Sequence, residues 1–209
     1  MAQRLYSATG PQRLCSDGPL GAIIIVGFTG GVPALIELFN LLPCGLPFPV
    51  IVVQHLARTG SNLDSFLSTR SGQDIRWASE GKRPERGQIY LVPPGMALQI
   101  NRQGFSLTPL GTGAATWLGA VDQTLKSVAA HCGRRTVAIV LSGSMAAGIE
   151  GFRQVNIVGG ITMAQSQSTS EMFEMPSAAI DFGKAEIVAS PKMMAAIIEV
   201  IAAQWHLPH

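Results

Sequence analysis

Four short runs, "AIIIVG" (22–27), "PVIVVQH" (49–55), "TVAIVLSG" (136–143) and "GGITMAQ" (159–165), are apolar and β-branched almost throughout, rather than at every second position. A strand with one face in water alternates. A strand that is apolar throughout has both faces covered, as in a parallel sheet sandwiched between helices. The segments between the runs supply such helices. "VPALIELFNLL" (32–42) carries Pro33 near its start, where a missing amide costs little, and stops before Pro43. "WLGAVDQTLKSVAAHCG" (117–133) sets Leu118, Val121, Leu125, Val128 and Ala129 along one face and ends at Gly133. Further helices are expected at 60–70, 146–155, 175–183 and 192–205.

The middle of the chain differs. "DIRWAS" (74–79), "GQIYLVPP" (87–94), "MALQIN" (96–101) and "FSLTPL" (105–110) are short, more clearly alternating and punctuated by Gly and Pro. This pattern predicts a hairpin-rich antiparallel extension of the sheet. The expected fold is therefore α/β: one three-layer, doubly wound domain over 21–205, mostly parallel with an antiparallel hairpin extension, preceded by an irregular segment over 1–20. In such a fold the ligand crevice lies at the carboxyl ends of the strands.

Composition narrows the classes of function. Hydrophobic residues make up 47% of the 209 and charged residues 13%, which excludes a disordered chain. A formal charge of +2, with basic residues scattered apart from "KRPER" (82–86), leaves no nucleic-acid footprint, and that run reads as a solvated loop. Cys15, Cys44 and Cys132 are odd in number and lack metal-type spacing, so neither a disulfide framework nor a zinc site is expected, and a reducing cytoplasm suits them. Residues 1–20 are broken by Arg4, Pro11, Arg13 and Pro19, unlike a signal peptide. No run reaches the ~18 apolar residues of a membrane span. No cofactor or metal is expected.

Three segments fall just past strand ends and converge on the predicted crevice: "VGFTGG" (26–31), "VQHLART" (53–59) and "LSGSMAAG" (141–148). A glycine turn opening a helix aims backbone amides at whatever lies there, as an oxyanion or phosphate site requires. "GFTGG" lacks the spacing of a dinucleotide fingerprint and no Gly-Lys-Ser/Thr follows, so those two ligands are disfavoured.

Six collinear stretches, "IIIVGFTGGVPAL", "VIVVQHL", "GQIYLVPPG", "VDQTLKSVA", "VAIVLSGSMAAGIEG" and "FEMPSAAIDFG", covering roughly residues 20–200, resemble the catalytic domain of the chemotaxis methylesterase CheB. The resemblance implies a doubly wound α/β fold whose serine, histidine and aspartate triad demethylates and deamidates glutamyl side chains of chemoreceptors. The family turn reads G-x-S-T-G-G, which puts Phe28 at the serine position; the Gln54-His55 pair matches the family's Q-H, which puts His55 at the general base. The family's L-T-G-M-G-x-D-G places Ala147 at the aspartate. A basic residue that the family carries ahead of the "VD" helix has no counterpart in "GTGAATWLGAVD". Family members of the standard type also carry a receiver domain ahead of the esterase domain, for which this chain has no room.

Acyl transfer needs a hydroxyl within reach of the imidazole and a carboxylate to orient it. Phe28 and Ala147 offer neither. The expectation is a pseudoenzyme of a chemotaxis-like signalling system that holds a protein partner, a chemoreceptor or adaptor, with His55 as remnant base and Thr29, Gly30, Gly31 and Ser144 lining the former cleft. The alternative is an active methylesterase or amidase with Thr29, Ser142 or Ser144 as relocated nucleophile and His55 as base. Against that alternative, Thr29 reads as a turn residue bonding amides near the helix start, and Ser142 and Ser144 as residues satisfying turn amides. Asp122 reads as a charge near the start of its own helix. Met163, Met172, Met175, Met193 and Met194 read as core or interface fillers, and the spacing of Glu171 and Glu174 alone does not make an acid–base pair.

Overall fold

A computed structural model describes residues 21–55, 62–111 and 113–206; the readings for 1–20 and for 56–59 of "VQHLART" lie outside them. In chain order the strands are β1 (Ala22–Gly27), β2 (Val50–Gln54), β3 (Ile75–Trp77), β4 (Ile89–Leu91), β5 (Met96–Asn101), β6 (Gly104–Pro109), β7 (Thr136–Val140), β8 (Ile161–Gln165) and β9 (Ile187–Ala189). The helices are α1 (Gly31–Leu41), α2 (Leu63–Ser71), α3 (Ala114–Cys132), α4 (Ile149–Ile157), α5 (Glu174–Asp181) and α6 (Pro191–His206). Seven strands form one sheet ordered β3-β4-β2-β1-β7-β8-β9, parallel at every pairing.

The four continuous apolar runs are β1, β2, β7 and β8, the inner strands on which both faces are covered. Period two then sorts β1 between two cores. Ile23 and Ile25 pack with Leu35 and Leu38 of α1 and Ile198 of α6, whereas Ala22, Ile24 and Val26 pack with Val121 and Leu125 of α3 and Phe152 of α4. All five side chains have no solvent exposure. The third layer and the expected helices are thus in place.

Two expectations for the middle of the chain are corrected. The segments at 74–79 and 87–94 do not form antiparallel hairpins; β3 and β4 lie parallel in the main sheet, with Ile75 opposite Ile89. Both are only three residues long, so their side-chain pattern is too brief to reveal burial on two faces. The expected antiparallel hairpin is present as β5–β6, but it does not extend the main sheet. It forms a separate two-stranded sheet, register Met96 to Pro109, whose Leu98, Ile100 and Phe105 join the α3 core. The edge strand β9, a three-residue run in "AEIVAS", was not anticipated.

A two-stranded hairpin is marginal in isolation, and α3 holds this one. The Ser127 hydroxyl accepts from the Ile100 amide at 2.7 Å and donates to the Ile100 carbonyl at 3.1 Å. One pair further on, at the tip, Gly104 (φ +134°) turns where an added Cβ would lie 2.6 Å from the Lys82 carbonyl oxygen, so the hairpin tip sits directly on the 81–82 backbone. Replacing Ser127 with Ala leaves both Ile100 groups unpaired at a partly buried site, at a cost of about 1–3 kcal/mol. Urea unfolding of Ser127→Ala should show that loss, with faster amide exchange concentrated in β5 and β6. An unchanged midpoint and unchanged protection would contradict the clamp.

Candidate active-site crevice

The chain leaves β1 and turns back into α1 within three residues, and three neighbours fix that turn. The Phe28 amide donates to the Ser142 carbonyl at 3.0 Å, the Gly31 amide to the Phe28 carbonyl at 3.0 Å, and the His55 amide to the Gly27 carbonyl at 3.1 Å. The ends of β1, β2 and β7 therefore meet, where the strand order changes direction. Gly30 is left-handed (φ +76°), and a Cβ there would fall 2.5 Å from Ser142 Oγ and 2.6 Å from Glu171 Cβ; only glycine satisfies both demands.

Gln54 holds the turn from the other side. Its side chain, 8% exposed, donates through Nε2 to the carbonyls of Phe28 (2.8 Å) and His55 (3.2 Å). Among the described residues its Oε1 has no hydrogen-bond partner, and it lies 2.5 Å from where a Cβ would stand on Gly27 and also on Gly31. Both glycines are thus dictated by the carboxamide that packs on them.

Phe28 does not point away from the crevice. Its ring meets the His55 imidazole edge to face, centroids 4.4 Å apart, and Trp117 closes the group at 5.0 Å from His55 and 5.6 Å from Phe28. Behind it, the Phe28 Cβ is 3.0 Å from where a Cβ of Gly143 would stand, and Met175 closes that side. Among the described residues the His55 side chain has ring contacts and no hydrogen bond. Burial lowers its pKa below the ordinary 6.5, so the imidazole is neutral at neutral pH. A cavity of about 360 Å³ opens beside the three rings, lined also by Met96, Leu110 and Met145.

Trp117 was read from sequence only as part of a helix. Its spacing held the signal: 117, 121 and 125 are one stripe, so the apolar face of α3 runs one turn further towards the strand ends than Leu118 and Val121 alone imply.

The hydroxyls divide. Ser142 has no exposure; its single proton goes to the Thr29 carbonyl (2.7 Å), with the Met172 carbonyl at 3.2 Å, and it accepts from the Met172 amide (2.9 Å). Such a serine is a structural tie, as its reading as a residue satisfying a turn amide anticipated, and has no free proton to exchange with His55. Thr29 Oγ1 and Ser144 Oγ bond each other at 3.2 Å. Neither caps α1, so the expectation that Thr29 bonds amides at the helix start is not met: the left-handed Gly30 stands at the cap position, and Thr29 is turned outward. Ala147 is 1% exposed inside the α3 core, against which Phe28 also packs. Asp122 is not near the start of its helix; it lies in the middle of α3, and its carboxylate accepts from the Gly151 amide at 2.8 Å, serving the first turn of α4 instead. Met163, Met175 and Met194 are core residues, whereas Met172 and Met193 are exposed. Among the described residues no cluster of His, Cys, Asp or Glu suits a metal ion, and no helix is long and apolar enough to cross a membrane.

Comparison with known proteins places this arrangement in context. The sequence model of the CheB methylesterase family matches residues 23–198. A protein-glutamate methylesterase/protein-glutamine glutaminase of Carboxydothermus hydrogenoformans is 34% identical over 187 residues, 87% of this chain and 54% of that protein. One of Hahella chejuensis is 33% identical, over 88% of this chain and 53% of its own length. The chain spans about half the length of the curated relatives it matches. The crystal structure of the Thermotoga maritima CheB methylesterase catalytic domain superposes with a TM-score of 0.80 at 26% identity, covering 87% of this chain and 98% of that one.

The lowered pKa of His55 fixes the sign of a pH effect. Between the folded value and 6.5 the unfolded chain binds the extra proton, so stability rises with pH across that window. The contribution is present in full above 6.5 and lost as the pH falls through the folded value. His131 is shifted in the same direction by burial, so only a site-resolved titration separates the two. The His55 ring protons, followed by NMR, should titrate below 6.5; a midpoint at or above 6.5 would contradict the packing described.

Proposed function

The chain belongs to the CheB methylesterase family, and from that membership we propose that it is a non-catalytic member, which works in a chemotaxis-like signalling system by holding a protein partner at the crevice. The observation that carries this reading is the contact of Phe28 with His55 at 4.4 Å. At the position aligned with the family's nucleophile stands a ring with no lone pair, and it fills the space beside the base in which a hydroxyl would have to lie. His55 keeps its place, held through its own backbone, and among the described residues its side chain has neither a hydroxyl to deprotonate nor a carboxylate to orient it. The position aligned with that carboxylate is Ala147, in an apolar core.

Magnitudes favour inactivity over weakened activity. Removing members of a triad costs roughly 10⁴-fold to 10⁶-fold in rate. The exposed Thr29 and the half-buried Ser144 bond each other and not His55, which argues against a relocated nucleophile. The Gln54 clamp and the Gly30–Gly31 turn remain, so the backbone geometry a nucleophile would need is kept while its side chains are not.

Two outcomes are expected. The protein should release no methanol from methylated chemoreceptors; release that His55→Ala abolishes would overturn the reading. Phe28→Ser together with Ala147→Asp should give measurable, His55-dependent hydrolysis of a small activated ester, whereas neither single variant should. Ala147→Asp puts a carboxylate into an apolar core and should be destabilising by itself. Phe28→Ser removes a half-buried ring and should cost less than the roughly 3–5 kcal/mol of a fully buried phenylalanine. If the double variant folds and stays inert on activated esters, the alignment of Phe28 and Ala147 with the triad is wrong.

A further inference from the structure

Helix α6 is apolar on two sides. Its inner side, with Met194, Ala195, Ile198 and Ile201, is buried in the core it shares with β1 and α1, and one such stripe is all that a helix packed on a single core requires. Its outer side carries a second stripe, Met193, Ala196, Val200 and Ala203, spaced by three and four residues and exposed throughout, Met193 at 57% and Val200 at 58%. Among the described residues nothing covers it. A surface helix ordinarily turns charge to this side, yet the outer side of α6 holds only Lys192 and Glu199, one of each sign. Neither has an ion-pair partner among the described residues.

We infer that this stripe is the contact between two copies of the chain, their α6 helices packed antiparallel about a two-fold axis at the level of Ile198. Size and charge both select a second copy. In the antiparallel pairing Met193 of one copy falls level with Ala203 of the other, and Val200 with Ala196, so every level sets a large side chain against a small one and symmetry repeats each match. A parallel pairing would set Met193 on Met193 and Ala196 on Ala196, crowded at one level and hollow at the next. Lys192 and Glu199 stand seven residues apart, on one flank of the stripe, and antiparallel helices bring that flank against itself with its order reversed. Each Lys192 is then directed towards the Glu199 of the other copy. An acidic or a basic partner would leave one of these two charges facing its like, and a neutral one would leave both unanswered; the same face turned round answers both. The helix has 16 residues, about 24 Å of length, so the contact is smaller than a standard interface and the association is weak, in the micromolar range or above. The dimer does not depend on how the crevice works. Its consequence does, under the non-catalytic reading: α6 begins at Pro191, just past the carboxyl end of β9 and so at the crevice end of the sheet, and antiparallel helices turn the two crevices in opposite directions, so that one dimer joins two partners.

The test is sedimentation velocity of the full chain over a concentration range of about 1 µM to 1 mM. A reversible equilibrium between monomer and dimer is expected. Val200→Glu changes a side chain that is more than half exposed, so it should keep the thermal unfolding curve of the monomer and remain monomeric over the whole range. Lys192→Glu and Glu199→Lys should each raise the dissociation constant on the order of 10-fold, because the two-fold axis counts every change twice, and added salt should shrink that penalty. The double variant, in which the two charges have exchanged places, should dimerise as the parent chain does. Monomer at every concentration overturns the inference, whatever else covers the stripe. A dimer unchanged in folded Val200→Glu places the contact elsewhere and overturns it too, as does a double variant no tighter than the single ones, which removes the antiparallel match of charge. None of these variants touches the crevice, so failure here leaves the non-catalytic reading standing, and methanol release from a methylated receptor overturns that reading without touching the dimer.

Discussion

Ser142, at the end of β7, ties three loops with one residue. Its carbonyl accepts from Phe28, its amide donates to Gln165 Oε1 at 2.7 Å, and its hydroxyl joins the Thr29 carbonyl to the Met172 amide. With no exposure at all, these bonds have no water to replace them, and losing the hydroxyl would strand a buried amide and a carbonyl together. The glycine turn, the 142–145 segment and the loop before α5 are consequently one unit, placed by the parallel sheet beneath. Gln54 performs the matching task from β2, and the two clamps together hold the β1 turn in position whatever side chain Phe28 presents.

That separation leaves the geometry of the turn independent of the side chain at position 28. The backbone of the turn is set by Gly27, Gly30 and Gly31 and by the carboxamide and hydroxyl that press on them, none of which depends on residue 28. A phenylalanine there takes up ring contacts with His55 and Trp117. Its ring pairs are each worth about 0.5–1.5 kcal/mol beyond the area buried. The ring is thus a stabilising part of the crevice wall, with His55 held neutral beside it.

The inner strands were legible because burial on both faces leaves a continuous apolar signature at β1, β2, β7 and β8, and the helices because period, proline and glycine agreed. The three-residue strands β3, β4 and β9 were not legible as parallel strands: three positions cannot distinguish alternation from continuity, and pairing to the main sheet is decided by partners far away in sequence. That Phe28 and His55 lie just past the ends of β1 and β2 could be read from the strand runs. The roles of Thr29 and Asp122 could not, since each depends on which loop or helix the fold brings opposite: Ser144 in one case, the first turn of α4 in the other. Trp117 was missed because an aromatic residue at the head of an amphipathic helix reads as core until the helix is known to begin at the crevice.

The account stands on the absence of an activated hydroxyl beside His55. Incubation with a fluorophosphonate, which forms a covalent adduct only with a hydroxyl that a neighbouring base has activated, followed by intact-mass measurement, tests this most directly. The protein should keep its unmodified mass at reagent concentrations that fully label an active relative. An adduct mapped to Thr29, Ser142 or Ser144, and lost in His55→Ala, would show a working nucleophile–base pair and contradict the account.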